Sequence, residues 1–244
     1  MMRTSHFTSL LVIAWVLSAC SQTESESLNA TATRPATPAE AAMPVGGREV
    51  ILFLGDSLSA GFGVDPDQAF PALIQHKIDR LGWEFKVVNA GVSGDTSADG
   101  LSRVDWLLRR PLEVLFLELG GNDALRGIPL EVTRQNLQRI VDKTRSKYPG
   151  VKIIVAGMRV PPNLGPEYTR EFRAIFPVLA QAKDATLIPF LLEGVGGRPQ
   201  LNLPDGIHPT PEGHQIVAEH VWGFLRPVLE SLTQVRASER RSPR

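Results

Sequence analysis

The chain has 244 residues, enough for one substantial α/β domain once its ends are set aside. Its 26 basic residues balance 26 acidic ones, and shares of 43% hydrophobic and 21% charged residues are ordinary for a soluble globular protein. No block of like charge interrupts the middle of the chain, so the composition argues against nucleic acid as a partner.

The first 20 residues follow the pattern of an export signal. A basic residue, Arg3, precedes an apolar run over residues 10–19, and small residues lead to Cys20, the only cysteine of the chain. The run is too short to cross a hydrocarbon core, which needs roughly 20 helical residues. The ending Leu17-Ser18-Ala19-Cys20 resembles a bacterial lipobox, which implies a lipoprotein signal peptide over residues 1–19 and acylation of the Cys20 thiol. Plain secretory cleavage near Ala19 and an uncleaved anchor are the alternatives.

Residues 20–47 are rich in Ser, Thr, Ala, Pro and Glu and carry scarcely any large apolar side chain. Such a segment cannot bury enough surface to offset its ordering entropy, so we predict that it is a flexible tether. Ser21 follows the cysteine, which in Gram-negative lipoproteins resembles sorting to the outer membrane. The expected location is therefore the bacterial cell envelope, with the chain exported, anchored to the membrane through lipidated Cys20 and facing the periplasm.

The folded body is predicted over residues 48–233, where strand patterns alternate with helix patterns. Short apolar runs rich in β-branched residues predict five buried parallel strands, at Val50 to Leu54, Lys86 to Asn89, Val114 to Leu119, Lys152 to Ala156 and Thr186 to Ile188. Apolar residues at helical spacing predict a last helix, which begins near Pro211 and runs to Leu232. Because helices that join parallel strands make right-handed crossovers, we expect an α/β fold, a three-layer α/β/α sandwich.

The last segment, residues 234–244, is predicted to be a disordered basic tail. It carries four arginines: Arg236, Arg240, Arg241 and Arg244. A frayed, solvated terminus is the simplest interpretation, and weak attraction to anionic lipid is the alternative.

Polar segments follow the predicted strands at the points where these end. Gly55-Asp56-Ser57-Leu58-Ser59 follows the first strand, Gly94 the second, Gly121-Asn122-Asp123 the third, and Asp205-Gly206-Ile207-His208 the fifth. Ligands of open parallel sheets bind beyond the carboxyl ends of the strands. We therefore expect these four segments to converge on one site.

The residue types in these segments suit nucleophilic catalysis. A serine hydroxyl needs a base to accept its proton during attack, and imidazole is the usual base near neutral pH. The candidates are Ser57 as nucleophile, His208 as base, and Asp205 as the acceptor that fixes the tautomer of His208. Asp205-Gly206 is also a common turn, and His208-Pro209 can simply end a loop, so this pair has a structural alternative.

The order and placement of the four segments resemble those of the SGNH, or GDSL, hydrolases, over roughly residues 50–229. Blocks 88–97, 118–127 and 205–209 look like the branch that contains the bacterial acyl-CoA thioesterase/lysophospholipase and arylesterases. The resemblance implies a flavodoxin-like strand order 2-1-3-4-5 and the catalytic residues Ser57, Asp205 and His208. It also implies an oxyanion hole from the backbone N–H groups of Ser57 and Gly94 and the side-chain amide of Asn122. Esters or thioesters would be cleaved through an acyl-enzyme, with no metal and no cofactor.

The side chains near the predicted site favour an acyl substrate, either a small acyl ester or a lysolipid. The candidate substrate-binding residues are Leu58, Phe62, Leu125, Arg126, Val160 and Pro161. One alternative is a deacetylase of envelope carbohydrate, because SGNH relatives include such esterases. An alternative of another class is a non-catalytic binding lipoprotein, for which a broken triad would be expected. The sequence identifies no protein partner.

Overall fold

The computed structural model describes residues 48–160 and 162–241. The predictions for the signal peptide, Cys20, the tether and Pro161 lie outside the described residues. The strands are β1 (Glu49–Gly55), β2 (Phe85–Asn89), β3 (Val114–Glu118), β4 (Lys152–Ala156) and β5 (Thr186–Ile188). The helices are α1 (Ser57–Ala60), α2 (Phe70–Arg80), α3 (Ser97–Leu107), α4 (Gly121–Leu125), α5 (Leu130–Lys147), α6 (Pro166–Ala182) and α7 (Pro211–Arg241).

The five strands form one parallel sheet in the order β2-β1-β3-β4-β5. The fold prediction is confirmed, and every predicted strand agrees with an observed one to within about a residue at each end. Strand β3 lies at the centre of the sheet and is buried along its whole length. The strand has four apolar residues in succession before its terminal Glu118. Such continuous apolar runs are typical of a parallel sheet because helices cover both of its faces.

The helices form two layers around the sheet. Helix α5 contacts both α3 and α6 in one layer, whereas α2 contacts α7 in the other. The core between the layers contains stacked rings: Phe53 of β1 lies with its ring centroid 4.5 Å from that of Phe116 of β3, and Phe70 packs edgewise on Phe53. This aromatic cluster lies under the carboxyl end of the two central strands and gives it a rigid support.

For residues 234–241 the structure corrects the prediction of a disordered tail, because α7 continues to Arg241; residues 242–244 lie outside the described residues. Arg236 forms ion pairs with Glu49 of β1 and Glu113, which directly precedes β3. Its guanidinium also lies 5.8 Å from the centre of the Phe85 ring. The partners of Arg236 are more than 100 residues away along the chain. The local sequence therefore gives no sign of these contacts and resembles that of a solvated tail.

Within residues 48–160 and 162–241, none of the helices combines the length and the apolar character that crossing a membrane requires.

Candidate active site

The carboxyl ends of β1 and β3 place two of the four polar segments side by side. The two strands are in register such that Gly55 lies opposite Glu118. Directly after Gly55 the chain turns at Asp56 and enters the short helix α1, whose first residue is Ser57. The Asp56 carboxylate caps this helix by accepting the backbone N–H of Leu58 at 3.0 Å. These contacts give Asp56 a structural role at the start of α1.

Ser57, His208 and Asp205 form a continuous chain of hydrogen bonds. The Nε2 atom of His208 lies 2.9 Å from Oγ of Ser57, and its Nδ1 atom lies 2.8 Å from Oδ2 of Asp205. Both distances are in the range that proton transfer between a nucleophile and a base requires. The structure therefore brings together the three residues that the sequence selects, although 151 positions separate Ser57 from His208.

The loop that carries Asp205 and His208 is held by local hydrogen bonds. The Leu203 N–H donates to the His208 carbonyl at 2.7 Å, and Asn202 pairs with Pro209 in an antiparallel bridge. Gly206 lies at the tip with a φ of 72°, in the left-handed region that favours glycine. These contacts close the loop into a compact turn, so the acid and the base come from one rigid segment.

Asp205 is bound so that its carboxylate stays ionised. Partial burial acts against ionisation, but the backbone N–H groups of His208 and Ile207, together with the His208 ring, lower the pKa of Asp205 to about 2. A carboxylate that accepts several N–H groups is stabilised in its charged form. It can therefore accept a hydrogen bond from Nδ1–H of His208, which leaves Nε2 free to take a proton from Ser57.

The three predicted oxyanion donors lie in the segments that follow β1, β2 and β3, at this edge of the sheet. Ser57 is the first residue of α1, where a helical N–H group has no partner within the helix. Gly94, in the loop after β2, has a φ of 87°. Arg126 holds this loop by donating from Nη2 to the Gly94 carbonyl at 2.8 Å.

Asn122 is anchored on both sides. Its Nδ2 atom donates to the carbonyl of Asp95 at 3.0 Å and to Oδ2 of Asp56 at 3.2 Å. An amide nitrogen carries two hydrogens, so in this structure both point at protein acceptors. Asn122 can serve an oxyanion by sharing the hydrogen of the longer contact, the one to Asp56.

The predicted substrate-binding residues fall into two groups. Phe62 is 48% exposed, with its ring centroid 4.5 Å from that of His208, and Leu125 is 50% exposed at the end of α4. Both can contact a substrate. In contrast, Leu58 is only 4% exposed and belongs to the hydrophobic core, and Val160 is buried as well. The prediction is corrected for these two residues, because their side chains pack inward and offer little surface to an acyl chain.

Two residues that the sequence analysis did not single out support the site from below. Arg103 on α3 bridges the end of β1 and the loop after β2: its Nε donates to Asp95 at 2.7 Å and its Nη2 to the Gly55 carbonyl at 3.1 Å. Glu118 is completely buried beneath α1. A glutamate at the end of an otherwise apolar strand indicates a buried polar contact, and the sequence shows it. Ionisable residues are almost never fully buried without a partner.

Two further histidines in the described part of the chain make contacts outside the relay. Within the described residues, no three His, Cys, Asp or Glu side chains lie together in a way that suits a metal ion. His214 is buried and accepts the backbone N–H of Phe70 through Nδ1 at 3.3 Å, whereas His220 contacts the Phe190 carbonyl at 3.0 Å.

Comparison with known proteins identifies the family of the chain. The model of the GDSL-like Lipase/Acylhydrolase family matches residues 53–216. Esterase TesA of Pseudomonas aeruginosa is 41% identical over 182 residues, which cover 74% of this chain and 90% of that protein. Thioesterase 1/protease 1/lysophospholipase L1 of Escherichia coli is 40% identical over 185 residues, covering 74% of this chain and 85% of that protein.

The crystal structure of TesA superposes with a TM-score of 0.70 at 40% identity, covering 74% of this chain and 99% of that one. The family match, over residues 53–216, spans the segments that carry Ser57, Asn122 and His208. The protein is therefore an ester hydrolase that belongs to the GDSL-like Lipase/Acylhydrolase family.

Proposed function

We propose that this chain is a lipid-anchored serine esterase of the bacterial envelope, which cleaves acyl esters or thioesters, including those of lysolipids, through an acyl-enzyme on Ser57. The observation that carries the proposal is the relay from Ser57 Oγ through the His208 ring to the Asp205 carboxylate, with contacts of 2.9 and 2.8 Å. The names of the relatives, which include esterase, arylesterase and lysophospholipase, support the substrate class.

The first half of the reaction transfers the acyl group to the protein. Oγ of Ser57 attacks the carbonyl carbon while Nε2 of His208 takes the hydroxyl proton, and the carbonyl oxygen becomes negative. The N–H groups of Ser57 and Gly94 and the Asn122 amide stabilise this oxyanion. When the tetrahedral intermediate collapses, His208 returns the proton to the leaving alcohol or thiol, and an ester of Ser57 remains.

The second half repeats these steps with water as the nucleophile. His208 takes a proton from the water, and the hydroxyl attacks the Ser57 ester. Collapse of the intermediate releases the carboxylic acid as His208 returns the proton to Oγ of Ser57. Throughout, the charge of Asp205 stabilises the imidazolium that forms on His208.

Replacing Asn122 by alanine is expected to lower kcat by about 10²- to 10³-fold, a loss of about 2.7 to 4 kcal/mol in transition-state stabilisation. KM is expected to change little because the donor acts on charge that develops only in the transition state. Steady-state hydrolysis of a p-nitrophenyl ester measures both constants. Asn163→Ala, which removes an exposed amide in the connection between β4 and α6, is the matched control. An Asn122→Ala variant that is folded and has the original kcat contradicts the assignment.

The length of the acyl group distinguishes the substrate classes. The exposed ring of Phe62 beside His208 and the exposed Leu125 at the end of α4 favour a medium chain over acetate. The test is a series of p-nitrophenyl esters from acetyl to long acyl groups, with Ser57→Ala as the blank. A preference for medium chains supports the lipid esterase, activity on acetyl alone indicates a carbohydrate deacetylase, and no turnover indicates a binding protein.

The anchor is supported by the lipobox-like segment Leu17-Ser18-Ala19-Cys20. Growth of the producing bacterium with a clickable fatty acid is expected to label the protein, and Cys20→Ala is expected to remove both the label and the membrane association. Two acyl chains, or one acyl chain with a second membrane-binding signal, hold a protein stably on a bilayer. Membrane fractionation is therefore a second readout of the anchor. Labelling that survives in Cys20→Ala contradicts this part of the proposal.

A further inference from the structure

A completely buried carboxyl group, that of Glu118, lies directly beneath the turn that carries Ser57. Its Oε2 atom accepts the backbone N–H of Asp56 at 3.1 Å and the Oγ hydroxyl of Ser59 at 2.7 Å. The Oε1 atom has no hydrogen-bond partner among the residues that the structure describes. The side chain is 0% exposed, and the mechanism proposed above gives it no role.

We propose that Glu118 is a positioning residue that holds the Ser57 turn in place as a neutral carboxylic acid. Its two hydrogen bonds reach Asp56, directly before the nucleophile, and Ser59, two residues after it. Asp56 in turn accepts the Asn122 amide at 3.2 Å. One buried acid thus orients the nucleophile and, through Asp56, the amide donor of the oxyanion hole. This inference rests on the assignment of Ser57 as the nucleophile.

The contacts of the two neighbouring carboxyl groups indicate which one carries the proton. Both oxygens of Asp56 accept N–H groups, as a carboxylate does. In Glu118 one oxygen accepts two hydrogen bonds and the other has no donor near it, so an ionised Glu118 would leave a charged, fully buried oxygen without a partner, which costs more than a neutral acid. Burial, and then the charge of Asp56, raise the pKa of Glu118 well above its usual range. Two adjacent buried carboxyl groups avoid double ionisation by keeping one proton.

The glycine that begins the nucleophile segment gives Glu118 its space. Gly55 is the register partner of Glu118 across β1 and β3. A Cβ atom at position 55 would lie 2.4 Å from Oε2 of Glu118 and 2.2 Å from Oγ of Ser59. Because contacts below 3.0 Å force a displacement, any side chain at this position would push the acid out of its place.

The first test compares the pH dependence of stability in the original protein and in Glu118→Gln. The glutamine keeps an oxygen that accepts both hydrogen bonds but has no proton to lose. Unfolded glutamate ionises near pH 4.3, whereas folded Glu118 keeps its proton, so the original protein loses stability as pH rises above that value. Relative to the original, Glu118→Gln is therefore expected to gain up to about tenfold in the folding equilibrium constant per pH unit between pH 5 and 8.

Urea unfolding of the purified full chain at several pH values measures this change. The matched control is Glu113→Gln, which makes the same exchange just before the other end of β3, where Glu113 pairs with Arg236. The control is expected to show no such gain with rising pH. An equal slope for the original protein and Glu118→Gln overturns the neutral acid, and so does a slope of opposite sign. This measurement does not use activity, so it is independent of the proposed function.

The second test separates positioning from folding. Glu118→Leu fills a similar volume but removes the acceptor, so the turn loses two hydrogen bonds. We expect kcat to fall by about 10²-fold with little change in KM, as for a small misplacement of a reacting group. Glu118→Gln is expected to recover most of this loss. A folded Glu118→Leu with full kcat overturns the positioning role, as does a Glu118→Gln variant that is as impaired as Glu118→Leu. If Glu118→Leu does not fold, Glu118→Gln alone tests the proposal. The pH dependence of its stability tests the neutral acid, and its kcat, which is expected to stay close to that of the original protein, tests the positioning role.

Discussion

Replacing Ser57 by alanine is expected to lower kcat for a p-nitrophenyl ester by about 10⁶-fold, as loss of the nucleophile does in other serine hydrolases. Without Oγ no acyl-enzyme can form, and His208 Nε2 loses the hydroxyl that lies 2.9 Å away. A residual rate above that of water is expected from the oxyanion donors alone. The original protein is expected to react with a fluorophosphonate at Ser57, whereas Ser57→Ala is expected to remain unlabelled, and mass spectrometry of the labelled peptide measures both.

Ser93→Ala is the matched control for this experiment. Ser93 is exposed in the loop after β2, one residue before Gly94, so the same hydroxyl is removed close to the site without touching the relay. It is expected to keep most of the activity and to be labelled at Ser57. Fluorophosphonate on any other serine of folded, active protein would show that the nucleophile lies elsewhere.

Replacing Asp205 by asparagine is expected to lower kcat by about 10⁴-fold while leaving the shape of the site intact. The amide can donate to Nδ1 of His208, which then holds the wrong tautomer and presents a protonated Nε2 to Ser57. The pKa of Asp205, about 2, lies far below neutral pH, so its ionisation is complete wherever the reaction is measured. Single-turnover release of p-nitrophenol at pH 5 to 9 measures the acylation rate directly.

The non-additivity of the two changes is a stricter test of the relay. Residues that act as one unit lose their effect together, so Ser57→Ala with Asp205→Asn is expected to be no slower than Ser57→Ala alone. Asp67→Asn, an exposed carboxylate in the connection between β1 and α2, is the matched control and is expected to have the original kcat. Full activity in folded Asp205→Asn would remove Asp205 from the mechanism.

The parts of this structure that depend on neighbouring residues were predictable from the sequence. The five strands could be predicted because a strand that is buried on both faces is a short, nearly continuous apolar run in the sequence. The placement of Ser57, Asn122 and His208 beyond the strand ends was predictable too, because parallel strands bring their carboxyl ends to one edge. The pairing of Asp205 with His208 was predictable as well, because the two residues are three positions apart and a local turn brings them together.

The tertiary structure alone decided which of the neighbouring side chains face the substrate and which support the site. Leu58 and Phe62 are four residues apart and equally apolar in the sequence, yet one lies in the core and the other beside His208. Whether α7 ends near residue 232 or continues depends on Glu49 and Glu113, more than 100 residues away. The role of Glu118 depends on the register of β1 against β3, which places its carboxyl group under Ser57. Local pattern determines secondary structure and order along the chain, whereas burial and partner choice arise only when distant segments pack together.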